Sequence, residues 1–71
     1  MINVTTGDEV TNGEFTGVVI DEMDGMLKVL SLATGFFDYL PLAMITRTGN
    51  TFSLDGEEVR NAIRKVNTSR W

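Results

Sequence analysis

The side chains here best suited to acid–base or metal chemistry are carboxylates: ten Asp and Glu in 71 residues, with no histidine and no cysteine. The missing types narrow the chemistry most. Without His the commonest general base and metal ligand is gone, and without Cys there is no thiol nucleophile, disulfide or thiolate zinc site. A cysteine-free chain also fits a reducing compartment. Asp21-Glu22-Met23-Asp24-Gly25 looks superficially like the start of a calcium loop. Aligning its Asp-Gly to the loop signature puts Ile20 at the first ligand position and Ser31 where a bidentate glutamate belongs, which excludes it. An acidic, solvated hairpin tip accounts for these residues. Glu57 and Glu58 fall in the first turn of an expected helix, where they complement the helix dipole. None of the seven glycines builds a phosphate-binding motif. No nucleophile, base and orienting group can be assembled, so the chain reads as non-catalytic, with no cofactor and no metal.

Two groups of residues point to binding instead. Phe36, Phe37, Tyr39, Leu40 and Leu42 crowd one short stretch. On a strand, Phe36 and Leu40 face one way while Phe37 and Tyr39 face the other. Singly, each aromatic reads more readily as core than as surface. As a set they exceed what so small a chain can cover, so Phe37 and Tyr39, flanking Asp38, are the candidate partner-binding or homo-oligomer surface. The second group is Arg60, Arg64, Lys65 and Arg70. Residues 1–58 carry all ten acids against Lys28 and Arg47, a net −8, whereas residues 59–71 carry +4, for a total of −4. Charge on the outer side of an amphipathic helix is ordinarily just solvated. Arg60 and Arg64, however, repel each other at i,i+4, with only Glu57 in range to offset Arg60. That repulsion suggests an external anion, an acidic partner or the acidic body itself. As a nucleic-acid surface the cluster is thin, because the acidic body opposes phosphate.

The elements that must position these residues are organised around residues 14–32. Residues 15–23 (F-T-G-V-V-I-D-E-M) and 26–32 (M-L-K-V-L-S-L) are extended, apolar runs separated by Asp24-Gly25, a strong signal for a type I′ hairpin. That turn sets Met23 opposite Met26, Asp21 opposite Lys28, Ile20 opposite Val29 and Val19 opposite Leu30. An opposite-charge rung beside aliphatic rungs supports the register, and a one-residue slip would lose the match. Residues 1–6 read as a short edge strand, followed by turns at Gly7-Asp8 and Asn12-Gly13. Ala33-Thr34-Gly35 leads into a strand over 36–40, which Pro41 ends or confines to an edge. A 3₁₀ turn is expected over 42–44 and a strand over 45–48, with Gly49-Asn50 as a two-residue turn into 51–53. Val59, Ala62, Ile63 and Val66 then repeat at helical spacing. Asp55 as N-cap, Glu58 completing a capping box, and Leu54 with Val59 as a hydrophobic staple place a helix over 56–66, with 67–71 as a tail.

Gly7-Asp8-Glu9-Val10 followed by Gly13-Glu14-Phe15-Thr16-Gly17-Val18-Val19 resembles the opening of SH3-like small barrels, KOW-type modules in particular. The resemblance covers about the first third of the chain. It implies a small barrel in which a short 3₁₀ turn precedes the last strand. The expected architecture is one mainly β domain: a small SH3-like antiparallel barrel or curled sheet of five to six strands over about 1–54, closed by the C-terminal helix. A domain of this size buries only about 60% of its unfolded surface. No run approaches a membrane helix or a signal peptide, so a cytoplasmic protein is expected, with no membrane partner. The expected function is binding to another protein through Phe37, Asp38, Tyr39, Arg60, Arg64 and Lys65. By analogy of type, this is a small phage or bacterial accessory protein that modulates or inhibits a host enzyme. The alternatives are nucleic-acid binding through the basic helix and a structural subunit of an oligomeric assembly or virion.

Overall fold

A computed structural model describes the backbone of residues 4–69 and the side chains of residues 4–65. Five strands, β1 (Asp8–Thr11), β2 (Thr16–Met23), β3 (Met26–Leu30), β4 (Phe37–Pro41) and β5 (Thr46–Thr51), form one sheet in the order β4-β3-β2-β1-β5. Every neighbouring pair is antiparallel, and the sheet is open. A 3₁₀ turn (Leu42–Met44) joins β4 to β5, and the helix α1 (Glu57–Ser69) follows. The fold is mainly β with one C-terminal helix, as the sequence leads one to expect.

The hairpin forms at Asp24-Gly25, whose φ angles of 54° and 79° are both positive, as a type I′ turn requires. Met23 pairs with Met26 and Asp21 with Lys28, in the expected register. Beyond that rung the register shifts: Val19 pairs with Val29 and Val18 with Leu30, leaving Ile20 as an inserted residue. Such a bulge places two successive side chains on the same side of the strand. Alternation sends Val19 to one core and Ile20 to the other, and the bulge then keeps Asp21 on the Ile20 side, opposite Lys28.

Those two cores lie on opposite faces of the sheet, because neighbouring β3 residues alternate. Val10, Val19, Leu27, Val29, Leu40 and Ile45 form one, with Val4, Phe15 and Leu42 against it. Leu30, Val59 and Ala62 form the other, under α1, with Ile20, Leu32 and Phe52 alongside. Each fully buried Val or Leu contributes about 1.5–3 kcal/mol by leaving water.

Four expectations need correcting. Val4 and Thr5 are not in a strand, and residues 1–3 of the expected edge strand lie outside the described residues. Gly49-Asn50 is not a turn but part of β5, so no sixth strand forms among the described residues. Thr51 pairs with Asp8 and Arg47 with Val10, so three residues of β5 face the single Glu9. The Glu9 Oε1 accepts from Thr48 Oγ1 at 2.6 Å and from Asn50 Nδ2 at 3.0 Å, which holds this bulge in place. The helix runs on to Ser69, so residues 67–69 are helical. Finally, Gly56 occupies the cap position, its carbonyl accepting the Arg60 N–H at 3.1 Å. Asp55 accepts instead from the Ser53 hydroxyl, and with Gly56 as the cap Leu54 stands one residue too early for a staple.

Candidate functional site

The helix covers only the part of its sheet face around Leu30. From Lys28 toward the Asp24-Gly25 turn the same face is bare. Pairing puts Asp21, Lys28 and Tyr39 in one row across it, with Met23 and Met26 in the next. Phe37, opposite Leu30, stands where the helix-covered part ends. The exposures are high for apolar side chains: Met23 64%, Phe37 51%, Tyr39 54% and Met26 38%. The rings of Phe37 and Tyr39 meet edge to face, with centroids 6.2 Å apart at 89°. Lys28 Nζ lies 4.3 Å from the Phe37 centroid, a cation–π contact that holds the ammonium over the ring. Together Met23, Met26, Lys28 and Tyr39 line a shallow groove of about 280 Å³, rimmed by Asp21, Glu22 and Asp24. The groove is apolar at its floor and acidic at its rim.

Asp38 does not share that face. It pairs with Val29 on β3, and its Oδ1 accepts the N–H of Tyr39 at 2.8 Å. Asp21 does the same for Glu22, also at 2.8 Å. The reading of Phe36, Phe37 and Tyr39 as core residues fails, since all three are at least half exposed, while Leu40 supplies the buried side of β4 at 4%.

The basic group also divides. Lys65 Nζ donates to the carbonyls of Leu32 at 2.9 Å and Ala33 at 3.2 Å, tying the helix to the turn after β3. Arg60 and Arg64 are exposed, and neither forms an ion pair with a described residue. Ile63, between them in sequence, is 48% exposed. Arg70 lies outside the described residues. The aromatic and basic groups therefore form two surfaces, one on the sheet and one on α1.

Sequence reasoning missed Met23, Met26 and Lys28 as surface residues of the groove. The signal was present in the hairpin register, which aligns all three with the acidic tip. The other charged contacts are structural. Asp8, 7% exposed, accepts the Thr5 N–H at 3.0 Å and has Arg47 Nε at 3.7 Å. The Ser53 hydroxyl, a backbone hydrogen bond and Arg60 together hold the Asp55 carboxyl below its ordinary value. Among the described residues no cluster of three or more His, Cys, Asp or Glu could hold a metal, and no helix is long and apolar enough to cross a membrane. No protein-family model, curated protein or solved structure matches the chain.

Proposed function

We propose that this chain is a non-catalytic protein-binding module that receives its partner on the bare face of β2, β3 and β4. One observation carries the reading: Phe37, Tyr39, Met23 and Met26 are exposed together on one side of the sheet. An apolar patch of this kind, next to charge, is what a binding surface presents. Its acidic rim favours a partner that brings basic residues alongside an apolar anchor. The scaffold is read as SH3-like. Four strands form a meander, a 3₁₀ turn follows, and the fifth strand returns to pair with the first, which agrees with the resemblance of residues 7–19 to KOW-type openings. The role is then accessory, acting on another protein by occupying its surface.

A Phe37→Ser/Tyr39→Ser variant tests this. Both side chains are more than half exposed, so circular dichroism and thermal melting should be nearly unchanged. Affinity capture with immobilised wild-type protein should retain a partner that the variant loses. Equal retention by a folded double variant would remove the patch from the binding site.

A further inference from the structure

We infer that the partner received on the bare face is a second copy of this chain, with α1 of each copy lying in the groove of the other. The inference rests on the binding reading above and supplies its occupant. Helix and groove lie side by side on one face of the sheet, since Leu30 under α1 and Lys28 beside the groove are two residues apart on β3. Two copies meeting face to face about a twofold axis therefore each offer a helix to the half the other leaves bare. Such an interface is isologous and closes at two copies.

The chemistry of the two surfaces is complementary. Arg60 and Arg64 are exposed and form no salt bridge among the described residues, Arg60 reaching the exposed Asp55 carboxylate only at longer range, and Ile63, between them in sequence, is 48% exposed. The groove offers an apolar floor of Met23, Met26 and Tyr39, with Asp21 and Glu22 on its rim. Ile63 matches the floor and the arginines match the rim. Lys65, about 200° round the helix from Ile63, is engaged with Leu32 and Ala33 and leaves that flank free. The same pairing gives Arg60 and Arg64, which repel each other at i,i+4 on α1, carboxylates of the other copy to face.

Addition of a strand at the β4 edge is disfavoured, because the Asp38 carboxylate occupies the Tyr39 N–H and Pro41 has no N–H to offer.

Light scattering across a concentration series should give twice the 7.9 kDa chain mass. Arg60→Glu/Arg64→Glu alone should be monomeric with an unchanged circular dichroism spectrum, as should Asp21→Lys/Glu22→Lys. An equimolar mixture of the two should regain dimer, because reversed helix meets reversed rim at one site and native meets native at the other. If the rim variant fails to fold, disulfide mapping replaces it, and the absence of native cysteine makes that clean. Chains carrying Ile63→Cys and Met23→Cys should cross-link to each other, whereas Ile63→Cys with Met44→Cys should not. A wild-type chain that stays monomeric at hundreds of micromolar, or a dimer that survives Arg60→Glu/Arg64→Glu, overturns the inference. A monomer whose capture of a different protein depends on Phe37 and Tyr39 overturns it while leaving the binding reading intact, and a monomer whose capture ignores both residues overturns the two together.

Discussion

Several charged side chains in this chain serve the backbone next to them, and Asp55 shows how that changes what its charge is for. At sequence level it looks like a helix N-cap, because it precedes an acid three residues on and an apolar stripe. The structure puts Gly56 at the cap and closes a turn in which Asp55 accepts from the Ser53 hydroxyl. Spacing alone cannot separate these outcomes, since both satisfy the same carboxylate within the same few residues. The hydrogen bond lowers the Asp55 pKa below 3.8, so the native state binds that proton less readily than the unfolded chain does. Its contribution is complete above 3.8 and is lost as pH falls through the lowered native value. Ser53→Ala removes the largest cause of the shift. We expect wild type to melt above Ser53→Ala at pH 6, with the gap closing as pH falls below 3.8; a gap independent of pH would show the hydroxyl acting through something other than this carboxylate. Asp38 shows the same limit of legibility. It was singled out for partner binding beside Phe37 and Tyr39, yet strand alternation places it on the other face, where it covers an edge N–H.

At the scale of elements, the turn and its first rungs were readable because Asp24-Gly25 determines them locally. The bulge at Ile20 was not. Whether a strand carries an inserted residue depends on what packs on each face, and here Val19 serves one core and Ile20 the other. Gly49 was misread for a related reason. A glycine before an asparagine signals a turn, but a positive φ is also needed inside a bulge, and only the facing strand decides which. Gly49 has φ of 99° and no atom within 4 Å of where a Cβ would stand. Gly49→Ala therefore isolates backbone strain from steric clash, at a cost of about 1–3 kcal/mol. Gly17→Ala meets a different obstacle, since its Cβ would lie 2.2 Å from the Leu30 carbonyl oxygen across the β2–β3 pair. In urea denaturation we expect both variants to lose stability, with Gly17→Ala the worse. A Gly49→Ala protein as stable as wild type would mean that β5 can straighten and Glu9 need not clasp a bulge.

For the molecule as a whole, the division into two cores predicts how it opens. A chain of this length has about 4–10 kcal/mol of stability in all. The cluster around Leu27 joins β1, β2, β3 and β4 with Ile45, so it ties together nearly every element of the sheet. The cluster under α1 reaches the helix through Val59 and Ala62 only, among the described side chains. Leu27→Ala, at about 2–5 kcal/mol, removes a contact shared by the entire sheet. Val59→Ala, at about 1.5–3 kcal/mol, removes a contact that only the helix and one face of the sheet share. Opening of α1 alone is then the first excursion from the native state, and it exposes Leu30 and Ile20 without parting the strands. Hydrogen exchange reads this directly. Val59→Ala should speed exchange of the α1 amides while leaving those between β2 and β3 close to wild type, whereas Leu27→Ala should speed both by similar factors. If Val59→Ala accelerated the β2 and β3 amides as much as the helix, the faces would open as one cooperative unit. The helix would then be part of what holds the sheet together, and could not be the separable cover that its two buried side chains describe.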